Sequence, residues 1–195
     1  MTTKKAMQPH SPSATVDEIF DLYDRYGHDD YGESVTQLEH MVQSAQLAEQ
    51  EGYDEEVILA AFFHDIGHLY EPEYSEQMGG YGAQQHDKIG GDFLRQRGFS
   101  ERMARLVESH VEAKRYLTHR YPDYYATLSD ASKETLRYQG GSMSAEEAEA
   151  FEGDELFDLI IRMRYWDDEA KVTNRPVSDI SNYRQMCLHY LTQRE

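Results

Sequence analysis

Apolar positions recur at helical spacing along nearly the whole chain. In SATVDEIFDLYDRYG, Val16, Ile19, Phe20 and Tyr23 fall on one helical face, and Gly27 ends the run. Thr36 can cap TQLEHMVQSAQLAEQEG, where Leu38, Met41, Val42, Ala45 and Leu47 keep the same period up to Gly52. Asp54 can open EEVILAAFFHDIG, which is apolar on nearly every face and is therefore predicted to be central. YGAQQHDKIGGDFLRQRG is predicted as a helix with Ile89, Phe93 and Leu94 inward. Ser100 caps ERMARLVESH, and VEAKRYLTHRYPDYYATL prolongs that helix as far as Pro122. SDASKETLRYQGG, SAEEAEAFEG behind Ser144, the long amphipathic DELFDLIIRMRYWDDEAK and VSDISNYRQMCLHYLTQRE complete the set. No segment carries a convincing run of strand alternation, and there is no internal repeat. The pattern predicts an all-α bundle, one domain over residues 13–195 behind a tail of residues 1–12. EPEYSEQMGGYGAQ, residues 71–84, is the longest loop.

A chain of 195 residues is long enough for one domain with a sizeable core. Its 37 acidic and 19 basic residues give a net charge of −18, which argues against nucleic acid or an anionic membrane as partner. An anionic substrate would need metal ions and a few local cations to overcome that background. A single cysteine, Cys187, rules out a disulfide framework and a thiolate metal site. MTTKKAMQPHSPSA has no apolar core of a secretory signal, and no apolar run approaches the roughly 18 residues of a membrane span. A cytoplasmic enzyme or binding protein is the expected class; the oligomeric state stays open.

Nine histidines are the main chemical signal. His40 sits mid-helix, His64 and Asp65 end the apolar helix, His86 and His110 lie on later helices, and Asp167 lies on the long late one. A single helical histidine is more often a surface or satisfied core residue than a ligand, and His10, His28, His119 and His189 are read that way. The His64–Asp65 pair is different. A buried carboxylate without a cation is costly, so an apolar helix ending in His-Asp asks for a positive partner. Imidazole and carboxylate donors suit iron, manganese or zinc.

The order H…HD…H…H…D resembles the HD-domain metalloprotein superfamily, an all-helical fold, in its dinuclear members. That resemblance implies that His40, His64, Asp65 and Asp167 hold one metal and that Asp65, His86 and His110 hold the second, with Asp65 bridging. Most HD-domain proteins are phosphohydrolases or phosphodiesterases. A smaller branch activates dioxygen at a mixed-valence Fe(II)/Fe(III) centre of two iron ions, and some of its members cleave phosphonates.

Three candidate ligands have a polar neighbour one helical turn away: His68 beside His64, Lys114 beside His110, and Arg164 beside Asp167. Together they describe a small anion site over two metals. Many dinuclear HD proteins carry Lys where HDIGH has His68. That histidine, with YGESVTQLEH and RYWDDEAK, is similar to the phosphonate oxygenases. The same resemblance puts Ser132 on the phosphonate, Glu33 on a substrate amine, and Tyr31 at a vacant iron position until substrate arrives. It implies a 1-hydroxyalkylphosphonate with a primary or trimethylated amine at carbon 2, dioxygen as co-substrate, and His68 in a proton or hydroxyl contact. A metal-dependent phosphohydrolase with the same ligands remains the first alternative, and a non-catalytic metal-binding or signalling helical domain the second.

Overall fold

The computed structural model describes residues 11–70, 76–175, 177 and 179–194. Residues 1–10 of the expected tail and 71–75 of the expected loop lie outside the described residues. Eleven helices and no strand occur among the described residues: α1 (Pro12–Tyr26), α2 (Gln37–Gln50), α3 (Glu55–Phe63), α4 (Ile66–Leu69), α5 (His86–Gln96), α6 (Glu101–Arg120), α7 (Tyr124–Thr127), α8 (Asp130–Tyr138), α9 (Ala145–Glu152), α10 (Phe157–Glu169) and α11 (Ser181–Thr192). The fold is all-α, as expected. No helix among the described residues is long and apolar enough to cross a membrane.

Local chemistry accounts for most helix starts. Ser11 caps α1 and places Pro12 in its first turn, so this helix begins at the last residue of the expected tail. Thr36 and Glu39 form a reciprocal capping box on α2, and Ser144 and Glu147 do the same on α9. Asp54, Ser100 and Ser129 each accept a backbone N–H at the start of α3, α6 and α8.

Helix α3 is the hub. Every residue from Val57 to Phe63 is buried, and α2, α6, α10 and α11 pack around it. An isolated helix of nine residues would be marginal in water; packing on all sides stabilises this one. Its C-terminal end rests on an aromatic layer in which Phe62 stacks on Tyr23 (centroids 4.7 Å apart) and on Tyr183 (4.7 Å). The Tyr23 hydroxyl donates to the Phe62 carbonyl at 2.9 Å, one of the groups a helix end leaves without a partner.

Two expectations need correction here. EEVILAAFFHDIG is not one helix. His64 is the C-cap of α3, and Asp65, at φ −103° and ψ 11°, breaks the chain before the short α4. His68 therefore belongs to α4 and is not one turn along the helix from His64. The predicted helix over residues 81–98 begins only at His86. Residues 77–83 instead form a tight turn closed by a bridge between Gln77 and Ala83.

Candidate metal centre

Four histidines meet in one buried space, and the backbone decides which nitrogen each presents. The Nδ1 of His64 lies 2.8 Å from the Ala61 carbonyl, that of His86 2.9 Å from Ala83, and that of His110 2.7 Å from Val107. In each case the carbonyl is three residues upstream. His40 Nδ1 reaches across the bundle to the Ala170 carbonyl at 3.0 Å. A carbonyl only accepts, so each Nδ1 carries a ring proton, and in the neutral ring each Nε2 keeps a lone pair.

Those lone pairs face each other in twos. Nε2 of His40 and His64 are 3.0 Å apart, and Nε2 of His86 and His110 are 2.9 Å apart. Two lone pairs so close repel unless a cation lies against both. Asp65 spans the two pairs. Its Oδ2 is 3.5 Å from the Nε2 of His40 and of His64, and its Oδ1 is 3.4 Å from the Nε2 of His86 and of His110. Asp167 Oδ1 adds a second carboxylate 3.3 Å from His40 Nε2. All six side chains are buried. The structure thus brings the six sequence-predicted ligands together, one carboxylate oxygen facing each histidine pair. The donor set of imidazoles and carboxylates, without sulfur, fits iron as well as other first-row divalent metals.

Burial pushes His64 down to about 4 and also lowers His86, which keeps both neutral. Burial would lower His40 and His110, but Asp167 beside the first and Asp65 beside the second outweigh it and raise both. Burial alone would raise Asp65 and Asp167. The histidines around Asp65, and Arg164 beside Asp167, outweigh it and hold both carboxyls well below the usual range. Both carboxylates are charged, buried and in need of cations.

His68 is different from the other four. Its Nδ1 accepts the Ala83 N–H at 2.9 Å, so the proton sits on Nε2. Asp65, His68 and His86 do lie close enough to hold an ion, but the free lone pair of His68 is already used. One residue sets both tautomers: the Ala83 carbonyl faces His86 and the Ala83 N–H faces His68. The two rings stack with centroids 3.8 Å apart. Burial holds His68 well below its ordinary value, so it is a neutral donor. Gly82, at φ +81°, is required here because a Cβ would come 2.4 Å from His68 Nδ1.

The remaining predicted residues line the same cavity, whose volume is about 60 Å³. Lys114 is buried, donates to Thr135 Oγ1 at 2.9 Å and has no carboxylate in ion-pair contact among the described residues; burial lowers it to about 7. Arg164 is buried too. It reaches Asp167 and Asp168 and donates to the Tyr124 hydroxyl at 3.0 Å, so one of its tasks is to hold Asp167 in place. Ser132 does not cap α8. Ser129 does, which frees the Ser132 hydroxyl for the cavity. Tyr31 adopts φ +45°, unusual for a side chain of its size, and tilts over His68 with ring centroids 5.1 Å apart. Burial, with Asp29 nearby, pushes its phenol up to about 12. Glu33 meets a cation of the protein itself, Lys171, at 2.7 Å.

The sequence reading missed Gln37, Tyr81, Thr135, Gln139 and Lys171, all of which line this cavity. Lys171 carried a usable signal, since it lies four residues after Asp167 within RYWDDEAK. The two glutamines carried none. Gln37 Oε1 and both amide atoms of Gln139 are buried without a hydrogen-bond partner among the described residues, as expected of groups that wait for a ligand.

The chain belongs to the HD-domain family, whose model matches residues 38–150. That stretch contains five of the six clustered residues, with Asp167 beyond it. Similar proteins extend the match to nearly the full length. The chain is 38% identical over 172 residues to the glycine-betaine-forming 1-hydroxy-2-(trimethylamino)ethylphosphonate dioxygenase of Leisingera caerulea, covering 88% of this chain and 87% of that one. It is 36% identical over 184 residues to the hydroxymethylphosphonate dioxygenase of Gimesia maris, covering 92% and 91%. An uncharacterized protein of Acanthamoeba polyphaga mimivirus is 43% identical over 180 residues, covering 91% and 82%. The protein is an HD-domain oxygenase of the phosphonate dioxygenase family.

Proposed function

We propose that this protein oxidatively cleaves the carbon–phosphorus bond of a small 1-hydroxyalkylphosphonate and releases phosphate, using dioxygen and two iron ions in the Fe(II)/Fe(III) state. His40, His64, Asp65 and Asp167 would hold one iron, and Asp65, His86 and His110 the other. Iron supplies one-electron chemistry toward dioxygen, which zinc cannot. With an amine or trimethylammonium group at carbon 2 the second product would be glycine or glycine betaine.

The protein's own side chains do the rest. Lys114 brings an ammonium to the phosphonate oxygens, and Arg164 adds positive charge while it orients Asp167. The Ser132 hydroxyl donates a further hydrogen bond to the phosphonate. His68 presents its Nε2–H to the substrate hydroxyl, fixed in that tautomer by Ala83. Tyr31 stays a neutral phenol at the rim, and would stand at the open iron position until substrate moves it aside. The observation that carries this reading is Lys114, a buried lysine with no carboxylate partner among the described residues, which opens onto a cavity lined by His40, His68, His86, His110 and Asp65.

The test is to load the protein with iron, mix it with a 1-hydroxyalkylphosphonate under nitrogen and then admit oxygen. Phosphate should appear only after oxygen. Release before oxygen, or faster release from a phosphate ester, assigns the site to hydrolysis instead.

Lys114 also sets a pH dependence. A lysine lowered to about 7 is charged below that pH and neutral above it. kcat/KM for the phosphonate should therefore decline as pH rises past about 7. Lys114→Met should raise KM roughly tenfold to a hundredfold, the value of a charged hydrogen bond, and abolish the alkaline decline. An unchanged KM would remove Lys114 from the phosphonate site.

A further inference from the structure

We infer that Lys171 determines which phosphonate this protein accepts, by occupying with its own ammonium the place where a substrate ammonium would have to bind. The inference rests on the phosphonate reading above. Glu33 is the carboxylate expected to meet a substrate amine, yet its Oε1 already accepts from Lys171 Nζ at 2.7 Å and from Ser129 Oγ at 2.7 Å. Lys171 Nζ also lies 3.3 Å from Ser132 Oγ and 3.4 Å from Ser129 Oγ. The ion pair is largely shielded from water, with side-chain exposures of 17% for Lys171 and 20% for Glu33.

The backbone that carries Lys171 is anchored on both sides. The carbonyl of the preceding residue, Ala170, receives the Nδ1–H of His40. The following residue, Val172, is clasped by the Gln43 side-chain amide, which donates to its carbonyl and accepts from its N–H, both at 3.0 Å. The backbone on either side of Lys171 is thus tied to α2, the helix that carries His40. An ammonium set that firmly is part of the site rather than a surface charge.

The charges then decide the substrate. Lys114, Arg164 and Lys171 line one small cavity with Glu33, Asp65 and Asp167, and Arg164 is paired with Asp167 and Lys171 with Glu33. Glu33 is neutralised by Lys171, and among the described residues lining that end of the cavity a substrate ammonium finds no uncompensated carboxylate. A primary amine would have to displace Lys171, and a trimethylammonium group has no N–H with which to do so. A quaternary ammonium needs an aromatic cage, and among the described residues the phenol rings lining the cavity are those of Tyr31 and Tyr81. The unpartnered Gln37 Oε1 and the Gln139 amide add neutral polar groups. This combination suits a hydroxyalkylphosphonate with no positive charge beyond carbon 1, of which hydroxymethylphosphonate is the smallest. Discrimination of this kind works by setting like charge against the wrong substrate.

The experiment compares kcat/KM for phosphate release by the iron-loaded full chain from hydroxymethylphosphonate, 2-amino-1-hydroxyethylphosphonate and its N-trimethyl form. Calorimetric binding of the same compounds under nitrogen runs alongside. Wild type should favour hydroxymethylphosphonate over both cationic compounds by at least about tenfold. Lys171→Met should shift that ratio toward the cationic compounds by about tenfold or more in both kinetics and binding. Lys171→Arg should keep the wild-type order. Should Lys171→Met fail to fold, Glu33→Gln serves in its place: it leaves Lys171 uncompensated and should widen the gap. A wild-type preference for a cationic phosphonate, or a ratio unmoved by Lys171→Met or by Glu33→Gln, overturns the assignment of Lys171. Absence of phosphate release from all three compounds overturns the phosphonate reading itself, and this inference with it.

Discussion

Asp65→Asn is expected to leave the protein folded and nearly free of iron. The amide keeps the shape of the carboxylate but loses the charge and one acceptor oxygen. In the native protein each Asp65 oxygen serves one histidine pair, at 3.5 Å on one side and 3.4 Å on the other. No other single side chain among the described residues faces both pairs. Losing a group that merely orients a metal ligand already costs about ten- to a hundredfold in metal affinity, and Asp65 touches both sites directly. Iron content measured by emission spectroscopy should fall toward zero from the two per chain proposed above. Oxygen-dependent turnover should fall by more than about a hundredfold, and circular dichroism should remain that of a helical protein. Two irons retained per chain would mean that the histidine pairs hold metal without a bridge, and the arrangement would have to be redrawn as two independent sites.

The second large effect is structural and comes from a residue with no side chain. Gly67 lies in α4 where that helix crosses the start of α5. A Cβ at Gly67 would stand 1.9 Å from the His86 carbonyl oxygen, 2.6 Å from its carbon and 2.8 Å from the Gly90 nitrogen. All three are backbone atoms, so no side-chain rotation relieves the clash, and α4 must separate from α5. Overpacking of that kind costs about 3 kcal/mol, which for a chain of this size lowers Tm by roughly 10 °C. Gly67→Ala should show that shift in a thermal melt together with reduced iron occupancy, because His86 moves with the strained peptide. A Tm within a degree or two of wild type would show that α4 and α5 can part without loss.

The glycine also explains why the chain leaves its helix at this point. Asp65 stands outside both α3 and α4, and Gly67 lets the next turn lie against α5. The His-Asp pair is therefore presented from a break in the helix, where one carboxylate can face both ways. The sequence reading singled out two residues that the structure does bring into the cluster, but with the wrong local geometry, because an unbroken apolar run carries no mark of where a helix stops. The turn over 77–83 was missed for a related reason. Its register depends on Gln77 meeting Ala83, and that turn in turn places Ala83 against His68 and His86.

The sequence by itself determined the all-helical fold, most of the helix starts and the identity of the six clustered residues. Those features are written in periodicity, in Ser, Thr and Asp caps, and in an order of His and Asp that survives any change of loop. Only the tertiary structure decided that His68 donates while the other four histidines present lone pairs, that Ser129 and not Ser132 caps α8, and that Glu33 meets Lys171. The physical reason is range. A cap or an apolar stripe is an agreement among residues three or four apart. The Glu33–Lys171 pair joins positions 138 residues apart, and a tautomer is set by whichever peptide group the packed backbone brings to the ring.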